Sequence, residues 1–374
     1  MKVLVSVHEP AAHRGVDGSR PAVGADPAPA TATADAFDAT TPAGEVARLE
    51  VRRLVGEWLA HEPGARRGHD PEEVHQVRVI ARRLDATLGL FKRHLPASLV
   101  RARKMAKALL RALGATRDLD VQLEGLAAYT RKLPASERAA LEPLKARLAL
   151  ERAQAHARMV RVLEAEPARR WVETLTAATT EPEAVAADGD SAREASVASL
   201  LERRVRRRFR RLRKAVDRLG EHSSMDDYHR VRRRAKQLRY ALEASARLYG
   251  KPADEMLRSL RRLQDELGSQ QDASMARGHL IALAADPACA LPPATLFLMG
   301  RLAEHHARVT AQARGTLAKH WRKVRGRRWK ALRERLAELR DAGPDAADPP
   351  VADAALTLAA TADSSSTGPH AHPL

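Results

Sequence analysis

A helical pattern that returns after 154 residues and stays in register constrains this chain more than anything else in it. His75, Arg78 and Arg82 recur as His229, Arg232 and Lys236. The same offset links Leu84 with Leu238, Lys104 with Arg258, Lys107 with Arg261, Leu109 with Leu263, Gly114 with Gly268 and Asp118 with Asp272. One offset held across two helical segments and the connection between them calls for a duplicated structural unit. Two similar helical bundles related by an approximate two-fold satisfy that demand.

Within each copy the period is helical. Val77, Ala81, Leu84, Leu88 and Phe91 step by four and three and form a core face. The stripe of His75, Arg78 and Arg82 lies about 140° around the helix from it, so the polar side is cationic rather than mixed. Asp70-Pro71-Glu72-Glu73 supplies a cap, a first-turn proline and two carboxylates at the positive end of the helix dipole. Aromatic residues make up only 3% of the chain. The core must therefore be built from Leu, Ala and Val, which in a chain rich in Arg, Glu and Ala points to an all-α fold of antiparallel helical bundles.

In chain order, residues 1–43 are rich in Ala, Pro, Thr, Asp and Gly and are expected to be a disordered tail. A helical domain then spans 44–340, with a first half at 44–180, a linker at 181–193 and a second half at 194–340. Residues 341–374 form a second tail rich in Ala, Pro, Asp, Ser and Thr. Pro63-Gly64 is expected to end the first helix, and the stripe helix to stop near Pro96. Gly114 suggests a kink or a close helix contact in the next helix, Leu99 to Lys132. One helix from Pro134 to about Glu166, a short one over Arg169 to Ala178, one from Ser191 to about Leu219 and a single long basic helix over 294–340 complete the expectation.

The net charge is +18 although both ends of the chain are net acidic, so the middle is more basic still. Such a field favours a polyanion: nucleic acid, a polyphosphate or an anionic membrane surface. Cys289 is the single cysteine, which excludes an intramolecular disulfide and a multi-cysteine metal site and fits a reducing cytoplasm. The opening Met1 to Val7 is too short for a secretion signal, and no apolar run is long enough to span a bilayer.

The candidate binding residues follow the repeat. From the first stripe come His75, Arg78, Arg82 and Arg83, and from the following helix Lys104, Lys107 and Arg111. Their second-copy partners are His229, Arg232, Arg233, Lys236 and Arg239, followed by Arg258 and Arg261. A single basic helix face is ordinarily solvated, but these stripes recur and have few acids to neutralise them, chiefly Asp85 and Glu243. Arginine offers a planar fork for bidentate phosphate contact, lysine a mobile point charge, and a protonated imidazole a further donor. The Arg203 to Lys214 run carries cations all round its helix, so most are expected to face solvent and only some to line a groove. His305-His306 and His320 lack partners for a metal site, and Asp118, Asp120 and Asp272 are expected to orient cations rather than hold Mg²⁺. No cofactor or metal is implied.

These residues, with Lys236-Gln237-Leu238-Arg239-Tyr240, Leu113-Gly114-Ala115-Thr116-Arg117-Asp118 and Leu263-Gln264-Asp265-Glu266-Leu267-Gly268, make the chain resemble the CHAD family, the conserved histidine alpha-helical domain. The resemblance covers about Glu45 to Arg335. It implies two pseudo-symmetric bundles around a basic central cavity, non-catalytic binding of inorganic polyphosphate, and a cytoplasmic place at polyphosphate granules. The CYTH domain found in some members has no counterpart motif in residues 1–43. Asp85 stands where the second copy has Arg239, a position usually basic in the family. Nucleic-acid binding is the alternative that charge allows, but four Trp, four Tyr and four Phe leave little for base stacking. A phosphatase or kinase would need a phosphate-cradling glycine loop or a metal carboxylate cluster, and neither pattern occurs.

Overall fold

The computed structural model describes residues 37–180 and 196–342, and among them there is no β-strand. The first half comprises α1 (Ala43–Arg67), α2 (Pro71–Leu90), α3 (Ala97–Thr130), α4 (Ala135–Ala140), α5 (Glu142–Glu164) and α6 (Glu166–Thr180). The second comprises α7 (Val197–Val216), α8 (Met225–Glu243), α9 (Ala246–Tyr249), α10 (Lys251–Ala285), a 3₁₀ turn at Pro287–Cys289, α11 (Pro293–Arg325) and α12 (Arg327–Asp341). The starts of α1, α2 and α3 precede those of α7, α8 and α10 by the repeat offset in each case. The two copies even meet at their equivalent first residues, where Pro42 and Ser196 form an antiparallel bridge and Val197 N donates to Thr41 O at 3.0 Å.

Local chemistry sets the helix starts. Asp70 accepts from Glu72 N at 2.8 Å, with Pro71 in the first turn. In the second half Ser224 and Asp227 form a reciprocal capping box ahead of α8. One apolar core runs through both halves and includes Val51, Leu54, Val77, Leu84, Val205, Leu238, Leu242 and Leu260. A second core, with Leu126, Leu144, Leu148, Leu280, Leu298 and Leu302, joins the halves at the far ends of their long helices. Each fully buried leucine contributes about 1.5–3 kcal/mol, so both cores hold the halves together. No helix of the described residues is long and apolar enough to cross a membrane.

Several boundaries differ from the sequence expectation. Pro63-Gly64 does not end α1, which runs on to Arg67 and stops at Gly68 with φ 71°. Gly64 serves instead as a close approach, since a Cβ there would lie 2.6 Å from the Glu73 side chain. The stripe helix ends at Leu90, before Pro96. A Cβ at Gly114 would meet nothing within 4 Å, so this glycine marks no close helix contact, whereas one at its counterpart Gly268 would lie 3.7 Å from the Arg232 guanidinium. The expected helix from Pro134 breaks at Leu141, which turns into the second core. The long terminal helix breaks at Gly326, letting α12 fold back so that Trp329 stacks on Phe209 of α7 at 3.7 Å. The linker expected at 181–193 lies outside the described residues, as do residues 1–36 and 343–374 of the two expected tails.

Candidate anion-binding site

The helices α2 and α3 of the first half and α7 and α8 of the second line a cavity of about 580 Å³ that opens to solvent. Its walls carry Arg82 and Arg103 from the first half, and Arg204, Arg207, Arg208, Arg211, Arg233, Arg234 and Lys236 from the second. Asp85 is the one carboxylate in the lining, and it is spent on Arg103 at 2.8 Å. Leu110, Ala86, Gly89 and Tyr240 make up the less polar part of the wall. Like charges gathered this way repel one another, and the repulsion is felt most where water is scarce.

Arg208 registers that cost: burial first, then the nearby Arg204, Arg211 and Arg103, push its pKa down to about 10. Burial and neighbouring arginines also lower Arg204 and Arg211. Among the described residues no carboxylate pairs with Arg204, Arg207, Arg208 or Arg211. The four fall within about a 100° arc of α7. The opposite side of α7 fixes that arc in place: Glu202, 3% exposed, binds Arg206 at 2.8 Å and Arg340 at 3.0 Å, and Phe209 stacks on Trp329.

The repeat offset carries these positions onto α1 with a different outcome. Arg204, Arg207, Arg208 and Arg211 correspond to Glu50, Arg53, Leu54 and Glu57. Arg53 binds Glu50 at 2.7 Å and also pairs with Glu57. Burial opposes the Arg53 charge, but Glu50, Glu57 and Glu243 outweigh it and hold the pKa above its usual value. Glu243, its side chain 7% exposed, lies 3.7 Å from Arg83, 3.7 Å from Arg239 and 3.6 Å from Arg261. In the first half the residue at the matching position is Gly89, where a Cβ would lie 3.0 Å from the Arg103 guanidinium carbon.

The fourteen sequence-derived candidates therefore separate. Arg82, Arg233 and Lys236 line the cavity. Arg83, Arg239 and Arg261 lie instead around Glu243, because two of them point from α2 and α8 into the seam between the halves, where a bare cation could not stay buried. Arg78 sits 3.6 Å from Asp118, and Arg232 packs beside Gly268. Asp272 completes this middle layer: burial first, and Asp118 second, raise its carboxyl pKa against the pull of Arg232, Arg78 and Lys236. His75 is buried at 4% exposure, and His229 Nδ1 lies 3.2 Å from Gln271 Oε1. Lys104, Lys107, Arg111 and Arg258 are exposed and do not line the cavity. The α7 arginines and Arg103 are the cavity residues that stripe matching passed over. Their signal was the exchange of Glu50 and Glu57 for Arg204 and Arg211, which strips a helix face of its i, i+3 and i+4 acids.

Comparison with known proteins agrees with this architecture. A family model described as CHAD domain matches residues 50–281. The crystal structure of the CHAD domain from the plant Ricinus communis superposes with a TM-score of 0.56 at 25% identity, covering 83% of this chain and 96% of that one. PptA from Streptomyces chartreusis shares the fold with a TM-score of 0.57 at 20% identity, over 75% of this chain and 100% of that one. Two uncharacterized proteins of Mycobacterium tuberculosis are 36% identical over 88 residues, which is 23% of this chain and 16% of theirs, so the match spans a minor part of those relatives. The repeated helical halves and the match over most of the described residues lead to one conclusion: the chain belongs to the CHAD domain family, a family of all-α domains that bind polyphosphate.

Proposed function

We propose that this protein is a non-catalytic polyphosphate-binding module that holds the polymer in the cavity between α2, α3, α7 and α8 and is thereby targeted to polyphosphate granules in the cytoplasm. The observation that carries this reading is the convergence of eight arginines and one lysine on one cavity whose single carboxylate is already paired. Polyphosphate presents dense negative charge and no bases, so it needs what the lining offers: many guanidinium forks with a single aromatic ring, Tyr240, among them. Each charge-assisted contact contributes about 1.5–3 kcal/mol before desolvation and chain ordering are subtracted, and several together give useful affinity. Arg78, Arg232 and the two histidines extend the cationic path toward the middle layer, and Lys104, Lys107, Arg111 and Arg258 form an exposed approach.

The test is equilibrium binding of long-chain polyphosphate to the full chain across a salt series, followed by competition with duplex DNA and single-stranded RNA at equal phosphate concentration. Tight, salt-sensitive binding that nucleic acid displaces poorly is the expected result. Absence of binding at low ionic strength overturns the reading, and ready displacement by nucleic acid replaces it with a nucleic-acid-binding one.

A further inference from the structure

The internal repeat ought to provide two equivalent anion cavities, yet the described residues form them unequally. Around the first, Arg82, Arg103 and the α7 arginines face open space. Around the second, the carboxylates of Glu50, Glu57 and Glu243 stand among Arg53, Arg83, Arg239 and Arg261. The exchange is sharpest at one position. Gly89 leaves room in the open cavity that the Arg103 guanidinium adjoins, and the equivalent Glu243 fills the closed one with a carboxylate touched by three guanidiniums.

Resting on the polyphosphate reading above, we propose that the chain binds one polyanion segment rather than two, because Glu243 acts as a built-in anion in the cavity that duplication would otherwise have left for a second. A carboxylate within 3.6–3.7 Å of three guanidiniums supplies, at ion-pair rather than hydrogen-bond distance, the negative charge that a phosphate would bring there. Arg83 joins the two halves through Glu243, Arg239 and Arg261 flank the same carboxylate from the second half, and the cations lining the open cavity are the ones left for a ligand. The choice between open and closed cavity is thus set by whether a side-chain carboxylate stands at the last turn of α2 or of α8.

Calorimetric titration of the full chain with inorganic tripolyphosphate, and affinity measurement with long-chain polyphosphate, test this. The wild type should bind one tripolyphosphate per chain. Gly89→Glu, which puts the same carboxylate into the open cavity, should lower long-chain affinity about tenfold or more, whereas the neutral Gly89→Gln should stay within about threefold. Both replace a helical glycine by a better helix former, and only the flexible end of Arg103 must yield, so both are expected to fold. Glu243→Gln should add a second tripolyphosphate site where it folds. Two equivalent sites in the wild type, or equal affinities of the Gly89→Glu and Gly89→Gln variants, overturn the proposal while leaving polyphosphate binding intact. A wild type that binds neither ligand overturns the functional reading itself.

Discussion

The cavity behind α7 and the ionic seam around Glu243 are built from equivalent helices, and they treat the same chemical group in opposite ways. In the seam, buried and half-buried guanidiniums each find a carboxylate, and the Arg83–Glu243 pair joins the two halves. In the cavity, guanidiniums crowd one another with one paired carboxylate among them, so charge is kept at a cost to the fold. Duplicated helices thus diverge into a paired ionic seam and an open cationic cavity through a few exchanges between acid, base and glycine: Glu50 for Arg204, Glu57 for Arg211, and Gly89 for Glu243.

The comparison can be broken in several ways. The largest effect is expected on removal of the central carboxylate. Glu243→Ala removes the carboxylate that three guanidiniums of the seam share and should cost about 3–5 kcal/mol in denaturant unfolding, whereas Asp85→Ala frees the half-exposed Arg103 and should cost less than about 1 kcal/mol. Equal losses would erase the distinction between seam and cavity. Next in size, Arg204→Gln combined with Arg208→Gln should weaken long-chain polyphosphate binding by about tenfold to a hundredfold, while Arg53→Gln shifts it by less than about threefold. Fluorescence titration separates these outcomes.

A smaller effect of opposite sign is expected from Arg208→Leu, which installs the residue type of Leu54. Relief of repulsion and of a buried charge should raise stability by about 1 kcal/mol while affinity falls. A less stable variant would show that Arg208 is held by packing rather than tolerated for binding. The smallest effect concerns Asp272, whose carboxyl is raised by burial and by Asp118. Its protonated form is favoured in the folded chain, so its stabilising contribution is present at low pH and lost as pH rises through that raised value. Losing this negative charge beside Arg78 and Arg232 should strengthen polyanion binding toward acid pH, and Asp272→Asn should raise affinity a few-fold at neutral pH and flatten that slope. An unchanged pH profile would remove Asp272 from the electrostatics of the site.

Much of the fold was legible in the sequence because the helix-period core faces and the constant offset are local, repeated signals. Asp70 and Pro71 announce α2, and the offset announces α8 in the same register. What escaped were events decided by tertiary packing. Pro63 is carried inside α1 because Gly64 and Ala65 pack against the body of the first half, and Gly326 breaks the last helix so that Trp329 can reach Phe209. The site was legible in kind but only partly in membership. A stripe predicts which residues share a helix face, and it says nothing of which helix faces it. The sequence names Glu243 as a neutralising acid without saying that Arg83 and Arg239 both reach it, and it places some of the α7 arginines in a groove without saying which ones face α2 and α3.

The central claim is that a formed cavity, rather than diffuse surface charge, holds the polyphosphate. Affinity for long-chain polyphosphate, measured side by side for Arg82→Glu with Lys236→Glu and for Arg327→Glu with Arg328→Glu, tests it most directly, with helicity checked by circular dichroism. Both pairs reverse two positive charges, so any difference between them reports position. The account predicts that the cavity pair abolishes binding and the α12 pair weakens it only mildly; equal losses from the two would contradict it.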